Sequence, residues 1–191
     1  MQRASGVLMH ITSLPGKFGI GTFGESAYKF VDFLVETKQT YWQILPLTTT
    51  SYGDSPYQSF SAVAGNTNLI DFNKLVEENL LLESDFSDMD FSSNEEEIDY
   101  ELLFNVRRPI LEKAVYNFLI NKNNVEKLNV FIDQNKKWLI DFAEYMAIKE
   151  YFGYKSLSFW TEDIRKNEES ARENYREKLV DKINYYIPTS C

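Results

Sequence analysis

The sequence predicts an α/β fold that opens with two parallel strands joined by a helix and continues as a mainly helical region. Three observations carry that expectation. Residues 5–11 and 40–47 are short apolar runs, a helically periodic stretch starting at Glu25 lies between them, and helical patterning dominates from residue 100 onward.

Residues 5–11 (SGVLMHI) give way to Thr12, Ser13, Pro15 and Gly16, the signature of a buried strand ending in a long loop. Ala27, Phe30, Val31 and Leu34 then fall at helical spacing, with Asp32 and Glu36 on other faces, which predicts an amphipathic helix to about Lys38. Residues 40–47 (TYWQILPL) read as a second buried strand. Strand, helix, strand is a βαβ unit, so the two strands should be parallel. Both loops that follow them then emerge at one edge, where ligands bind in parallel α/β folds.

Residues 68–72 (NLIDF) suggest another short extended piece, and Asn73 or Asp71 can cap a helix through Leu75, Val76 and Leu80. Nine carboxylates and no basic residue occupy residues 83–101, the composition of a solvated, mobile connector. The expected organisation is therefore a first part at 1–82, an acidic connector at 83–99 and a helical subdomain at 100–191. Helices are expected at 100–121, interrupted or begun afresh near Pro109, then at 125–134, 136–152 and 170–187. In the last of these Arg172, Arg176 and Lys178 interleave with Glu173 and Glu177, which predicts charge pairs along an exposed face, with Leu179, Ile183 and Tyr186 buried. Thr161 is a candidate N-cap for a helix after Trp160.

Composition narrows the function classes. With 43% hydrophobic and 15% aromatic residues the chain can bury a sizeable core. A formal charge of −9 argues against nucleic-acid binding, which needs a basic face. Cys191 is the single cysteine, so neither an intrachain disulfide nor a cysteine-rich metal site can form. The apolar patch near the start is too short for a signal sequence, and no later run has the length of a membrane span; a cytoplasmic protein with no membrane partner is expected.

Residues 19–24 (GIGTFG) match the dinucleotide fingerprint in form only. The first glycine lies well beyond the strand end, and the second strand finishes in Pro46, Leu47 and Thr48 without the acidic residue that would hold a ribose. His10 is the single histidine, with no second histidine or nearby cysteine to complete a usual metal set and no G-x-S-x-G elbow to complete a serine triad. It is expected to be a structural histidine hydrogen-bonded beneath the loops, with a substrate contact as the other reading. Trp42 and Trp138 are expected in the core.

Residues 51–66 (SYGDSPYQSFSAVAGN) form a long loop in which small residues, a proline and glycines bend the backbone while aromatics and hydroxyls face outward. That mixture suits a sugar-binding surface, and equally an ordinary surface loop. Tyr52 and Tyr57 stand out because nothing periodic demands their burial.

Three runs in order, RASGVLMHITSLPGKFGIGTFG, FVDFLVETKQTYWQILPLTTTSYGDSPYQSFSAVAGN and NLIDF, cover residues 3–72 almost without a gap. Over them the chain resembles the 4-α-glucanotransferases of glycoside hydrolase family 77, called amylomaltases or disproportionating enzymes. The helical remainder is similar to the insertion that follows in that family. The resemblance implies the first βαβ of a (β/α)8 TIM barrel with a helical insertion, cytoplasmic, acting without cofactor on α-1,4-glucans (maltodextrins) as donor and acceptor. It implies a retaining double displacement, with a carboxylate nucleophile about 5 Å from a carboxylic acid/base. By motif, Ser55 and Tyr57 match the family's SPY element, whose tyrosine is expected against the donor sugar, and Tyr52 matches a tyrosine of a secondary glucan contact. Asp54 and Gln58 belong to the same run and are expected to shape the loop.

The family's nucleophile, acid/base and third carboxylate lie on later strands, so the resemblance assigns no catalytic carboxylate here. The expectation is an N-terminal portion, inactive by itself. A non-catalytic α-glucan-binding fragment is the alternative, and an interaction protein without sugar contact a third reading. Two parallel strands cannot close a barrel, so apolar edges stay exposed unless helices or other copies cover them. Light scattering on the 191-residue chain should therefore show oligomers, and a clean monomer would contradict that expectation.

Overall fold

A computed structural model of the chain describes residues 3–50, 55–91 and 97–190. They fall into two compact units, Met1–Ile120 and Asn121–Cys191.

The first unit begins with strand β1 (Gly6–Leu8), which pairs in parallel with β2 (Tyr41–Gln43) in the register Gly6↔Tyr41, Val7↔Trp42, Leu8↔Gln43. Gly6 is required by the close approach of the strands, since a Cβ there would lie 2.5 Å from the Tyr41 carbonyl oxygen. Helix α1 (Glu25–Glu36) makes the crossover, burying Ala27 and Leu34. Its C-terminus closes as a Schellman motif. Lys38 adopts φ +56°, and the amides of Lys38 and Gln39 reach back to the carbonyls of Val35 and Leu34. Ile11, Leu14, Ala27 and Leu69 form the core between sheet and helix, with Met9, Phe30, Trp42 and Leu47 packed against it.

Both strands are shorter than their apolar runs. After Leu8 the chain turns at His10, the N-cap of a 3-10 turn at Ile11–Ser13, and the indole Nε1 of Trp42 donates 2.7 Å to the Met9 carbonyl just before it. Trp42 is thus half-buried, its ring edge-on to Phe30 at 4.9 Å. Trp138 also differs from expectation: it is a half-buried helix N-cap whose Nε1 donates to Asn135 Oδ1, outside any buried helical stripe.

Asn66 and Asp71 cap the next two segments, the 3-10 turn Thr67–Leu69 and helix α2 (Phe72–Glu77), by accepting from the amides of Asn68 and Asn73. Behind them lies a cluster of four phenylalanines. Phe18, Phe72, Phe86 and Phe91 stack tilted or edge-to-face with centroids 5.0–5.8 Å apart. Phe86 and Phe91 come from the acidic segment expected to be a free connector; their burial in this cluster anchors the described part of that segment to the first unit.

Helix α3 (Tyr100–Ile120) completes the unit and runs unbroken through Pro109. An internal proline costs about 3 kcal/mol. Here Leu103 and Arg107 before it and Ile110, Leu111 and Ala114 after it are all buried, so packing on both sides offsets that cost. Arg107 lies over the Phe72 ring at 4.4 Å and donates 2.6 Å to the Ile70 carbonyl. Farther along, Lys113 pairs with Asp85 and Asn117 donates to the Leu80 carbonyl.

The second unit contains α4 (Lys122–Asn135), α5 (Leu139–Tyr151), the single-turn α6 (Glu162–Arg165), α7 (Glu169–Lys178) and α8 (Val180–Thr189). The stretch expected as one helix at 170–187 is two, broken at Leu179 (φ −115°, ψ 21°), which is 5% exposed. The arginines of α7 do not pair with Glu173 and Glu177 as expected. Arg172 and Arg176 both reach Glu144 on α5, at 2.7 and 2.5 Å, and pair outward with Asp141 and Glu169. No helix among the described residues is long and apolar enough to cross a membrane.

Two predictions follow from this packing. Phe72→Ala should lower the unfolding free energy by about 3–5 kcal/mol in urea titrations, whereas Val35→Ala, 70% exposed, should change it little. His10 has a buried Nδ1 without a hydrogen-bond partner, and burial lowers its pKa below the ordinary 6.5. Between the two pKa values the unfolded chain binds the proton and the folded chain does not, so this contribution is whole above pH 6.5 and is lost as pH falls through the folded value. His10→Gln should flatten the decline of the urea midpoint between pH 7.5 and 5.5, and an unchanged decline would remove His10 as its source.

Candidate functional site

Because β1 and β2 are parallel, the loops after Leu8 and Gln43 leave the sheet at the same edge. The second is tied at its base. Thr48 bridges Gly65 in antiparallel fashion, the Thr49 amide donates to the Ala64 carbonyl at 3.2 Å, and the Asn66 amide donates to the Leu47 carbonyl at 3.0 Å.

Above this neck, serine side chains take the place of regular secondary structure. Ser55 Oγ accepts from the Tyr57 amide at 3.3 Å while its carbonyl accepts from the Gln58 amide at 3.0 Å, closing a turn with Pro56 and Tyr57 at its centre. Ser59 Oγ accepts from the Ser61 amide, donates 2.5 Å to the Ser61 carbonyl and meets Thr49 Oγ1 at 3.1 Å. Ser61 Oγ accepts from the amides of Val63 and Ala64, and Ala64 is fully buried as the inner anchor. The result is an arch held by its own side-chain hydrogen bonds that leaves Tyr57 73% exposed.

Of the residues expected at a site, Ser55 and Tyr57 share this turn, with the Ser55 hydroxyl engaged in shaping it. Gln58 lies exposed beside them. Tyr52 and Asp54 lie outside the described residues. His10 sits where β1 ends, as expected, but its buried Nδ1 has no hydrogen-bond partner. Ser59, Ser61 and Thr49 were not singled out from sequence. The S-x-S spacing was the available signal, since serine hydroxyls readily satisfy amides two residues on.

The two buried carboxylates of the described residues are both committed to structure. Asp71 accepts from Thr22 Oγ1 at 2.5 Å and caps α2, and Glu144 is clasped by Arg172 and Arg176. Among the described residues no group of three or more His, Cys, Asp or Glu is arranged to hold a metal ion.

Comparison with known proteins agrees with this architecture. The model of a protein family described as 4-alpha-glucanotransferase, glycoside hydrolase family 77, matches residues 9–189. A 4-alpha-glucanotransferase of Streptococcus pneumoniae serotype 4 is 57% identical over 189 residues, covering 98% of this chain and 37% of the relative. One from Thermus thermophilus is 38% identical over 191 residues, covering 99% and 37%. The solved amylomaltase from Streptococcus agalactiae in complex with acarbose superposes with a TM-score of 0.95 at 58% identity, covering 99% of this chain and 38% of that one. The chain thus spans little more than a third of the length of these relatives. With a family match running almost from end to end and a backbone that follows it throughout, the chain belongs to the 4-alpha-glucanotransferase family, glycoside hydrolase family 77.

Proposed function

We propose that this chain is the N-terminal part of a 4-α-glucanotransferase that moves α-1,4-glucan segments between maltodextrins in the cytoplasm. The observation that carries the reading is the superposition at TM-score 0.95 on an amylomaltase bound to acarbose. In this reading β1, α1 and β2 are the opening βαβ of a (β/α)8 barrel, and the arch of residues 55–66 is one wall of the donor cleft.

The chemistry divides between this wall and residues outside it. A carboxylate attacks C1 of the donor sugar while a carboxylic acid protonates the departing glycosidic oxygen. The acceptor's 4-hydroxyl then attacks C1 of the glycosyl ester and gives its proton to the same acid/base, so configuration is retained. Asp71 and Glu144 are unsuited to those roles, because protonating or esterifying either would break a cap or an ion-pair network. The resemblance places the catalytic carboxylates on later strands, in the further length that the relatives possess. The chain's own contribution is a surface for the donor: the exposed Tyr57 ring offers a flat face to the C–H side of a sugar, and the serine clamps hold it without further ordering cost. Tyr52, by its place in the motif, is assigned to a secondary glucan contact away from the cleavage site. A rigid wall also helps keep water from the glycosyl ester, which transfer rather than hydrolysis requires.

The test is a chimera in which this chain replaces the matching residues of the pneumococcal relative. It should convert maltotriose to glucose and longer maltodextrins; a folded chimera that only hydrolyses, or does neither, would refute the reading. In the chimera Tyr57→Ala should lower kcat/KM by on the order of tenfold and Tyr57→Phe by much less.

A further inference from the structure

Ser59 joins the two limbs of the arch. Its single proton goes to the Ser61 carbonyl at 2.5 Å, and its oxygen accepts from the Ser61 amide at 3.1 Å. With that proton committed, the 3.1 Å contact to Thr49 Oγ1 has one direction: Thr49 donates and Ser59 accepts. A hydroxyl offers one donor and two acceptor sites, so the capacity of Ser59 is full. Thr49 is itself fixed at the neck, where its amide donates to the Ala64 carbonyl at 3.2 Å. On the other side of Ser59, the Gln58 amide closes the Tyr57 turn on the Ser55 carbonyl at 3.0 Å. One hydroxyl therefore ties the residue that follows the Tyr57 turn to the base of the loop.

We propose that Ser59 is a positioning residue for glucan transfer, acting through Tyr57, with Thr49 as its anchor. Ser59 is exposed, which would suit a direct contact with the sugar, but its hydroxyl has no site left for one. Tyr57, by contrast, is 73% exposed, so little side-chain packing holds its ring and its place follows from the backbone of its turn. Loss of the bond between Ser59 and Thr49 frees that turn to move against the neck, and the donor must then order it on binding. Water can reach the Ser61 groups that Ser59 releases, so Ser59→Ala leaves the fold in place.

This inference rests on the reading of Tyr57 as the ring that faces the donor. The test uses the chimera with the pneumococcal relative and maltotriose as substrate. Ser59→Ala and Thr49→Val should each lower kcat/KM by about three- to tenfold, the worth of one hydrogen bond. The double variant should lose no more than either single one, and Ser59→Thr, which keeps the hydroxyl, should restore most of the activity. In a Tyr57→Ala background neither substitution should lower kcat/KM further, whereas a merely structural role would cost the same fold-change there. Full activity in Ser59→Ala, or an equal loss with and without the Tyr57 ring, would overturn the positioning role and leave the substrate reading standing. A folded parent chimera without transfer activity would overturn both.

Discussion

The first unit depends on the contact between Phe72 and its surroundings. With two three-residue strands among the described residues, backbone pairing supplies little of its cohesion, and segments distant in sequence are joined instead through one ring. Phe18 from the loop after β1, Phe86 and Phe91 from the acidic stretch, and Arg107 from the middle of α3 all meet it. Arg107 also holds the Ile70 carbonyl, two residues upstream of Phe72, so the same side chain fixes both the ring and the entry into α2. Gly19 makes the nearby packing possible. Its φ of +71° and the closeness of the Phe91 carbonyl exclude a side chain there.

Much of this was legible in the sequence, element by element. The parallel pair and its crossover helix follow from apolar runs flanking a 3.6-residue period, and Asp71 is a recognisable cap. The strand lengths were not legible, because an apolar run is equally compatible with extended chain that has left its ladder; Trp42 bonding to Met9 decides where β1 ends. Nor were Phe86 and Phe91, whose neighbours are carboxylates that keep local hydropathy low although both rings are buried. Neither glycine nor proline marks the break at Leu179, whose side chain is buried where α7 ends and α8 begins. Glu144 looks like any helical glutamate until the arginines of α7 are seen to reach it.

The candidate site divides along the same line. Tyr57 was identifiable because nothing in the periodic pattern demanded its burial, and it is exposed. The serines that present it were not, since their effect depends on which amide each hydroxyl meets, a property of the folded loop. The unsatisfied Nδ1 of His10 belongs with them: a single histidine at a strand end reads as structural, and only the folded surroundings reveal that its buried nitrogen has no partner.

The neck beneath the arch has an evolutionary consequence. Two backbone hydrogen bonds, which together form the antiparallel bridge of Thr48 with Gly65, close the loop on itself, and they use main-chain atoms that every sequence except proline supplies. What lies above the neck is therefore a cassette. The described residues above the neck can be exchanged without disturbing β2 below or α2 beyond. Substitution is readily tolerated at this position, while the aromatic cluster of the same unit is held by mutual contacts that must change together or not at all.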